Sequence, residues 1–180
     1  MKKIDKKLKE KLKKTKLLIL DVDGVLTDNT FSLTGDGKES KNFNISDGMG
    51  IYLAKKSNIE VALISGRESE ATKLRAQDLS LKYVYLGRND KINAYENLKS
   101  KLNLKDWQIA YVGDDVLDIP ILKKVGVPIC VKNAYPAVKR YATYVTEKEG
   151  GKGAVREVID LILETKKIKP WELVYDIGKG

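Results

Sequence analysis

The sequence predicts an α/β fold: a doubly wound, mostly parallel sheet with helices on both faces. Three observations carry this. Apolar runs of strand length recur along the chain, stretches with helical spacing separate most of them, and the runs are almost continuously apolar, as strands buried on both faces are. The 180 residues, 42% of them hydrophobic, suit one domain with an ordinary core.

Residues 1–16 come first. They hold nine lysines against Asp5 and Glu10, whereas the remaining chain is nearly balanced, so the net charge of +9 is concentrated here. Ile4, Leu8 and Leu12 recur every four residues, the pattern of a short amphipathic helix lying on the body with its lysines in water. No arginine or aromatic accompanies those lysines, and a nucleic-acid partner is not expected. Lysine outnumbers arginine 29 to 5, which hints at a thermophile's surface rather than a ligand.

Strand-length runs occur at 17–20 (LLIL), 59–64 (IEVALI), 82–86 (KYVYL), 108–112 (QIAYV), 126–131 (GVPICV) and 142–145 (ATYV). Helical spacing is found at 47–57, 68–78, 90–102, 115–124, 134–140 and 152–167. Residues 29–45 break the alternation. Two polar, alternating pieces flank Thr34-Gly35-Asp36-Gly37, which is hairpin chemistry rather than a crossover helix. Inserted after the first strand, this small β-hairpin is placed above the carboxyl edge of the sheet, where ligands bind in this architecture. The expected organisation is a lysine-rich helix in 1–16, a single domain over 17–167 with the insertion at 29–45, and a tail from 168 to 180.

No apolar run approaches the roughly 20 residues of a membrane span, and the lysine-rich start lacks the apolar stretch of a signal peptide. The expectation is a cytoplasmic protein with no membrane partner. Cys130 is the single cysteine and there is no histidine, so any metal must be held by oxygen and any general base must be a carboxylate, Lys or Tyr.

The residues just after each of the first four strands are polar. Asp21-Val22-Asp23-Gly24 succeeds the first, Ser65-Gly66-Arg67 the second, Gly87 and then Lys91 the third, and Gly113-Asp114-Asp115, with Asp118 beyond, the fourth. Carboxylates gathered in one crevice repel unless a cation sits among them, and magnesium is the natural hard ion. Asp21, Asp114 and the backbone carbonyl of Asp23 can supply its ligands. Ser65, the amides of Ser65 and Gly66, and Lys91 suit a phosphate. Alternation along Asp21-Val22-Asp23 turns both carboxylates to one side, where one can attack phosphorus while the other handles the proton. Singly, each residue has a plainer reading as a turn, cap or solvated charge; their order, each after its own strand, favours a site.

DVDGVLTD at 21–28, SGR at 65–67, Lys91 and GDDVLD at 113–118 resemble the four motifs of the haloacid dehalogenase superfamily of phosphohydrolases. The likeness narrows through NFNISDGMGI at 42–51 and GGKGAVRE at 150–157, which are similar to the family of 3-deoxy-D-manno-octulosonate 8-phosphate (KDO 8-phosphate) phosphatases over roughly residues 15–165. That resemblance implies no separate cap domain and an aspartyl-phosphate route in lipopolysaccharide precursor synthesis. It places the nucleophile at Asp21, the acid/base at Asp23, the phosphate-binding groups at Ser65, Gly66 and Lys91, and magnesium on Asp21, the Asp23 carbonyl and Asp114, with Asp115 and Asp118 supporting. It further implies a homotetramer in which the hairpins associate and a neighbour helps close each site.

Arg67 is a candidate for the sugar acid's carboxylate and Arg75 a second; the plainer reading is a surface pair of Arg67 with Glu68 or Glu70. Relatives acting on 2-keto-3-deoxynononate 9-phosphate tend to carry glutamate where this chain has Arg67, which favours the octulosonate, with the nononate as the alternative. The glycines of 150–153 shape a loop near the crevice or simply start a helix, and the tail after Pro170 covers a neighbouring site or frays. Asp28, at the base of the hairpin, reads as a turn support. A phosphoryl-receiving signalling domain is the rival of another class, but its acidic pair stands apart from its phosphorylated aspartate, whereas Asp21 and Asp23 share one loop.

Overall fold

In the computed structural model, which describes residues 4–174, the centre of the protein is β1 (Leu17–Leu20), four residues all fully buried. On one side it pairs in parallel with β4 (Glu60–Ile64), which pairs with β5 (Tyr83–Tyr85). On the other it pairs with β6 (Ile109–Gly113), followed by β7 (Val127–Cys130) and β8 (Tyr144–Val145). The order is therefore β5-β4-β1-β6-β7-β8, with every neighbouring pair parallel. The chain winds outward from β1 in one direction and then restarts on its far side. This reversal opens a crevice at the carboxyl ends of β1 and β6. Leu20 is level with both Leu63 and Val112, so the residues after all three strands emerge at one height.

Four of the helices start where side chains take up free amide groups. In α1 (Lys6–Lys13) the Asp5 carboxylate accepts from the Leu8 amide at 2.7 Å, and Leu8 and Leu12 are buried against α6 (Ala154–Thr165). Asn44 caps α2 (Ile45–Lys56) and Ser69 caps α3 (Glu70–Asp78). The cap of α6 comes from elsewhere in the sequence: buried Asp47 on α2 accepts from the Arg156 amide at 2.7 Å. That bond ties the two stretches NFNISDGMGI and GGKGAVRE together, because α2 and α6 pack side by side. α4 (Lys91–Lys101) and α5 (Ile119–Leu122) form the second packed pair, on the face that right-handed crossovers require when the winding direction reverses.

Several segments depart from the pattern read in the sequence. The stretch 115–124 divides into a 3-10 turn (Val116–Asp118) and the one-turn α5. Residues 134–140 form no α-helix: Pro136 keeps its predecessor from helical angles, and only a 3-10 turn (Val138–Tyr141) forms beyond it. The insertion is a minimal antiparallel ribbon, β2 (Ser32–Leu33) with β3 (Glu39–Ser40). Asp28 accepts from the Thr30 amide and hydroxyl at its base. Of the tail, Pro170–Leu173 makes a 3-10 turn, and residues 175–180 lie outside the described residues, as do 1–3 of the N-terminal segment.

Because Leu12 is fully buried between α1 and the body, Leu12→Ala should lower unfolding free energy by about 2–5 kcal/mol in urea titration. A loss near zero would show that α1 contributes little to the fold.

Candidate active site

Asp21 leaves β1 with its amide donating to Val112 of β6, which carries it into the crevice, where it is buried. Asp114 arrives from the end of β6 and Asp118 from the turn beyond it. One oxygen from each of these three carboxylates lies within 4.8 Å of the others. Lys91, the first residue of α4, enters from the opposite side and places Nζ 2.9 Å from Asp21 Oδ2 and 2.7 Å from Asp118 Oδ1.

The three carboxylates are not equivalent. Asp118 accepts from Lys91 Nζ, from the Tyr111 hydroxyl at 2.6 Å, and from the amides of Asp114 and Asp115 at 2.8 and 3.1 Å. Its oxygens are engaged on every side, and its part is to hold the cluster. Asp114 Oδ1 is buried with no hydrogen-bond partner among the described residues, and such a group costs a great deal unless a cation meets it. Burial, followed by the charge of Asp118, pushes Asp21 up to about 7, Lys91 opposing. Burial and then the charges of Asp21 and Asp118 push Asp114 up to about 8. An unpartnered buried oxygen beside crowded carboxylates, in a cluster that contains no thiol and a chain that contains no histidine, fits a hard divalent ion. Lys91 is itself held protonated by Asp21 and Asp118, against the opposing effect of burial.

Two glycines let the loops come this close. Gly24 has φ +86°, and a Cβ there would sit inside the Asp114 carboxylate. A Cβ on Gly150 would collide with the carbonyl of Gly24, and the Gly151 amide donates to Val25 at 3.0 Å. The 150–153 loop therefore backs the loop that carries Asp21 and Asp23.

Ser65 is buried beyond β4, and its hydroxyl oxygen accepts from the Arg67 amide at 3.3 Å, which leaves the hydroxyl proton available to an anion. Contrary to the sequence expectation, the Ser65 amide is not free for an anion, because it donates to the Tyr85 carbonyl at 2.9 Å in the ladder with β5. α3 also begins only at Glu70, so Ser65 is not at a helix start. Gly66 lies next to Lys91: a Cβ on it would stand 4.0 Å from Lys91 Cε.

Asp23 and both arginines make their side-chain contacts outside the acidic cluster. The Asp23 carboxylate turns to Lys41, whose Nζ stands 2.6 Å from its Oδ1. Arg67 pairs with Glu39 of β3 at 2.5 Å, rather than with Glu68 or Glu70, and its guanidinium lies 4.2 Å from the Phe31 ring centroid. The hydrogen bond from Ser69, with the charges of Lys41 and Arg67, holds Glu39 below the usual carboxylate range. Arg75 pairs with Asp78, donates to the Asn44 carbonyl and lies over Phe43, so no contact brings it to the aspartates. Asp115 is exposed and its side chain accepts from the Val116 amide, capping the turn. Lys41, Glu39 and Tyr111 escaped the sequence reading. Tyr111 passes for core within an apolar strand, and Lys41 and Glu39 find their partners far along the chain.

Comparison with known proteins agrees with this geometry. A family profile described as haloacid dehalogenase-like hydrolase matches residues 84–159. The 3-deoxy-D-manno-octulosonate 8-phosphate phosphatase KdsC of Salmonella typhi is 45% identical over 153 residues, 85% of this chain and 81% of that protein. The crystal structure of the phosphatase of the same name from Yersinia pestis superposes with a TM-score of 0.90 at 40% identity, covering 91% of this chain and 89% of that one. A third, from Moraxella catarrhalis in complex with magnesium, phosphate and KDO, has a TM-score of 0.87 at 37% identity, covering 89% and 92%. With identity at this level over nearly the whole length, and the acidic cluster standing at the sheet's switch point, the chain belongs to the haloacid dehalogenase-like hydrolases, in the family of 3-deoxy-D-manno-octulosonate 8-phosphate phosphatases.

Proposed function

We propose that this chain is a magnesium-dependent phosphatase that hydrolyses KDO 8-phosphate to KDO and inorganic phosphate, a step in lipopolysaccharide precursor synthesis. The observation that carries the reading is the acidic cluster around Lys91, in a chain 45% identical to a phosphatase of that name. The relative solved with magnesium, phosphate and KDO supports both the ion and the ligand class. Asp21, Asp114 and the Asp23 carbonyl would hold magnesium, with Asp118 supporting them. Bound there, the ion offsets the negative charge of the carboxylates and of the substrate's phosphate.

The remaining chemistry belongs to side chains. Ser65, the Gly66 amide and Lys91 bind phosphate oxygens and stabilise charge as it develops on them. A carboxylate oxygen of Asp21 attacks phosphorus, the bond from phosphorus to the sugar's oxygen breaks, and Asp23 gives that oxygen its proton. An aspartyl phosphate is left on Asp21. Asp23, now a carboxylate, takes a proton from water, the water oxygen attacks phosphorus, and the bond to Asp21 breaks to release inorganic phosphate.

Arg67 is assigned to the sugar's carboxylate. It is half exposed and gives Glu39 one of its five donors, so others remain for a planar anion. Arg75 is the weaker candidate, since two of its donors are engaged, by Asp78 and by the Asn44 carbonyl.

We further propose a cytoplasmic homotetramer joined through the hairpins. Leu33 is 67% exposed and Phe31 42%, in or beside a two-strand ribbon with free edges, and Ile45 at the start of α2 is 87% exposed; burial between subunits would remove both liabilities. Buried, unpaired Cys130 suits a reducing compartment, and no described helix is long and apolar enough to cross a membrane.

With magnesium, kcat/KM on KDO 8-phosphate should exceed that on a panel of sugar phosphates, 2-keto-3-deoxynononate 9-phosphate included; equal values would leave only a general phosphatase. Asp21→Asn should abolish turnover with the circular dichroism spectrum unchanged, and wild-type hydrolysis by that variant would remove the nucleophile assignment.

Metal removal should show itself in stability. A carboxyl whose pKa is raised on folding binds its proton more tightly in the native state, so stability falls as pH rises from 3.8 through about 7 and about 8. From about pH 5, above the range in which carboxylates held low such as Glu39 and Asp106 titrate, to about pH 8 the melting temperature in EDTA should decline, and saturating magnesium should flatten the decline. A melting temperature independent of pH in EDTA would count against the cluster as an ion site. Leu33→Asp should shift the protein to smaller species in light scattering; an unchanged mass would place the subunit contact elsewhere.

A further inference from the structure

The Lys41 side chain has no solvent exposure, yet it carries a charge. Its Nζ lies between two carboxylates, 2.6 Å from Asp23 Oδ1 and 3.5 Å from Glu39 Oε1. A buried ammonium is retained only when paired on more than one side, and here its two partners come from different parts of the molecule. Glu39 is anchored independently: it accepts from Ser69 Oγ at 2.6 Å and from Arg67 at 2.5 Å, so the far end of the ammonium's cradle is fixed to the start of α3. Asp23 is not anchored in that way. Among the described residues its carboxylate has no hydrogen-bond partner other than Lys41, and it is partly open to solvent.

We infer that Lys41 is a positioning residue for the reaction: its ammonium fixes the Asp23 side chain in the rotamer from which Asp23 serves the leaving oxygen. Without it the Asp23 carboxylate could turn about its first side-chain torsion, and general acid catalysis needs the proton within about 3 Å of the oxygen that receives it. Lys41 stands just after β3, so the hairpin that brings Glu39 opposite Leu33 also delivers the ammonium. The insertion thereby becomes part of the catalytic apparatus as well as a candidate subunit contact. The plainer possibility, that Lys41 only fastens the hairpin to the body, differs in one measurable respect: it gives no reason for the loss to depend on the leaving group.

This inference rests on the assignment of Asp23 as the acid, and the experiment separates the two. kcat/KM of the magnesium-loaded Lys41→Met variant is measured on KDO 8-phosphate, whose alcohol must be protonated to leave, and on p-nitrophenyl phosphate, whose phenolate leaves unprotonated. The expected loss is about tenfold or more on the sugar phosphate and under about threefold on the aryl ester, within the range that general acid catalysis supplies. Lys41→Gln, which keeps a donor, should fall between Lys41→Met and the parent enzyme on the sugar phosphate. Equal losses on both substrates, or no loss on either, would overturn the inference. Asp23→Asn is measured beside them. If it shows the dependence on leaving group and Lys41→Met does not, the role of Lys41 falls alone; if neither shows it, the assignment of Asp23 falls and takes this inference with it.

Discussion

Three carboxylates with oxygens within 4.8 Å of one another, buried, cannot all hold full charge without cations among them. Much of the protein's architecture results from managing that repulsion. Lys91 contributes one positive charge from the start of α4, and Tyr111 with two backbone amides disperses the charge of Asp118. There remain the unpartnered oxygen of Asp114 and the raised proton affinity of Asp21 and Asp114, a deficit that a divalent ion matches. The site is unfavourable when empty of cations and favourable when filled, which is the electrostatic basis of selective ion binding.

Such a cluster needs rigid support, and the sheet provides it. β1 is buried over its whole length and flanked by parallel partners in matched register, so the loops after β1, β4 and β6 leave from one level. Backbone then packs on backbone where glycine allows it. Gly24 opens the space that Asp114 occupies, and Gly150 lets a second loop lean on the first. Glu157 holds the segment that leads into that second loop, accepting from Tyr144 and from the amides of Glu147 and Lys148. The aspartates are thus placed by main-chain geometry rather than by mobile side chains.

The hairpin adds a different layer. It has almost no core of its own, with two residues in each strand, and it is tied to the body by charge: Glu39 to Arg67 and Ser69, Lys41 to Asp23. This arrangement places the residue assigned to the proton and the residue assigned to the sugar acid on one short polar chain of contacts. A change in the hairpin's position would reach both.

Sequence by itself determined the winding of the fold and the acidic cluster, because both rest on local signals. Apolar runs such as LLIL must be buried on both faces, and Asp21, Asp114, Ser65 and Lys91 each come after a strand at short range. The short elements were the least legible. At 134–140 a proline defeats the helical spacing, and at 115–124 a capped turn interrupts it. Only the tertiary structure decided where the charged side chains turn. Arg67 finds Glu39 28 positions away, Asp23 finds Lys41 18 away, and Asp47 caps a helix 109 residues on. The Ser65 amide, which local spacing leaves available for an anion, is taken by the strand beside it. Charge pairing depends on distance in space and on exclusion of water, and neither is written in spacing along the chain.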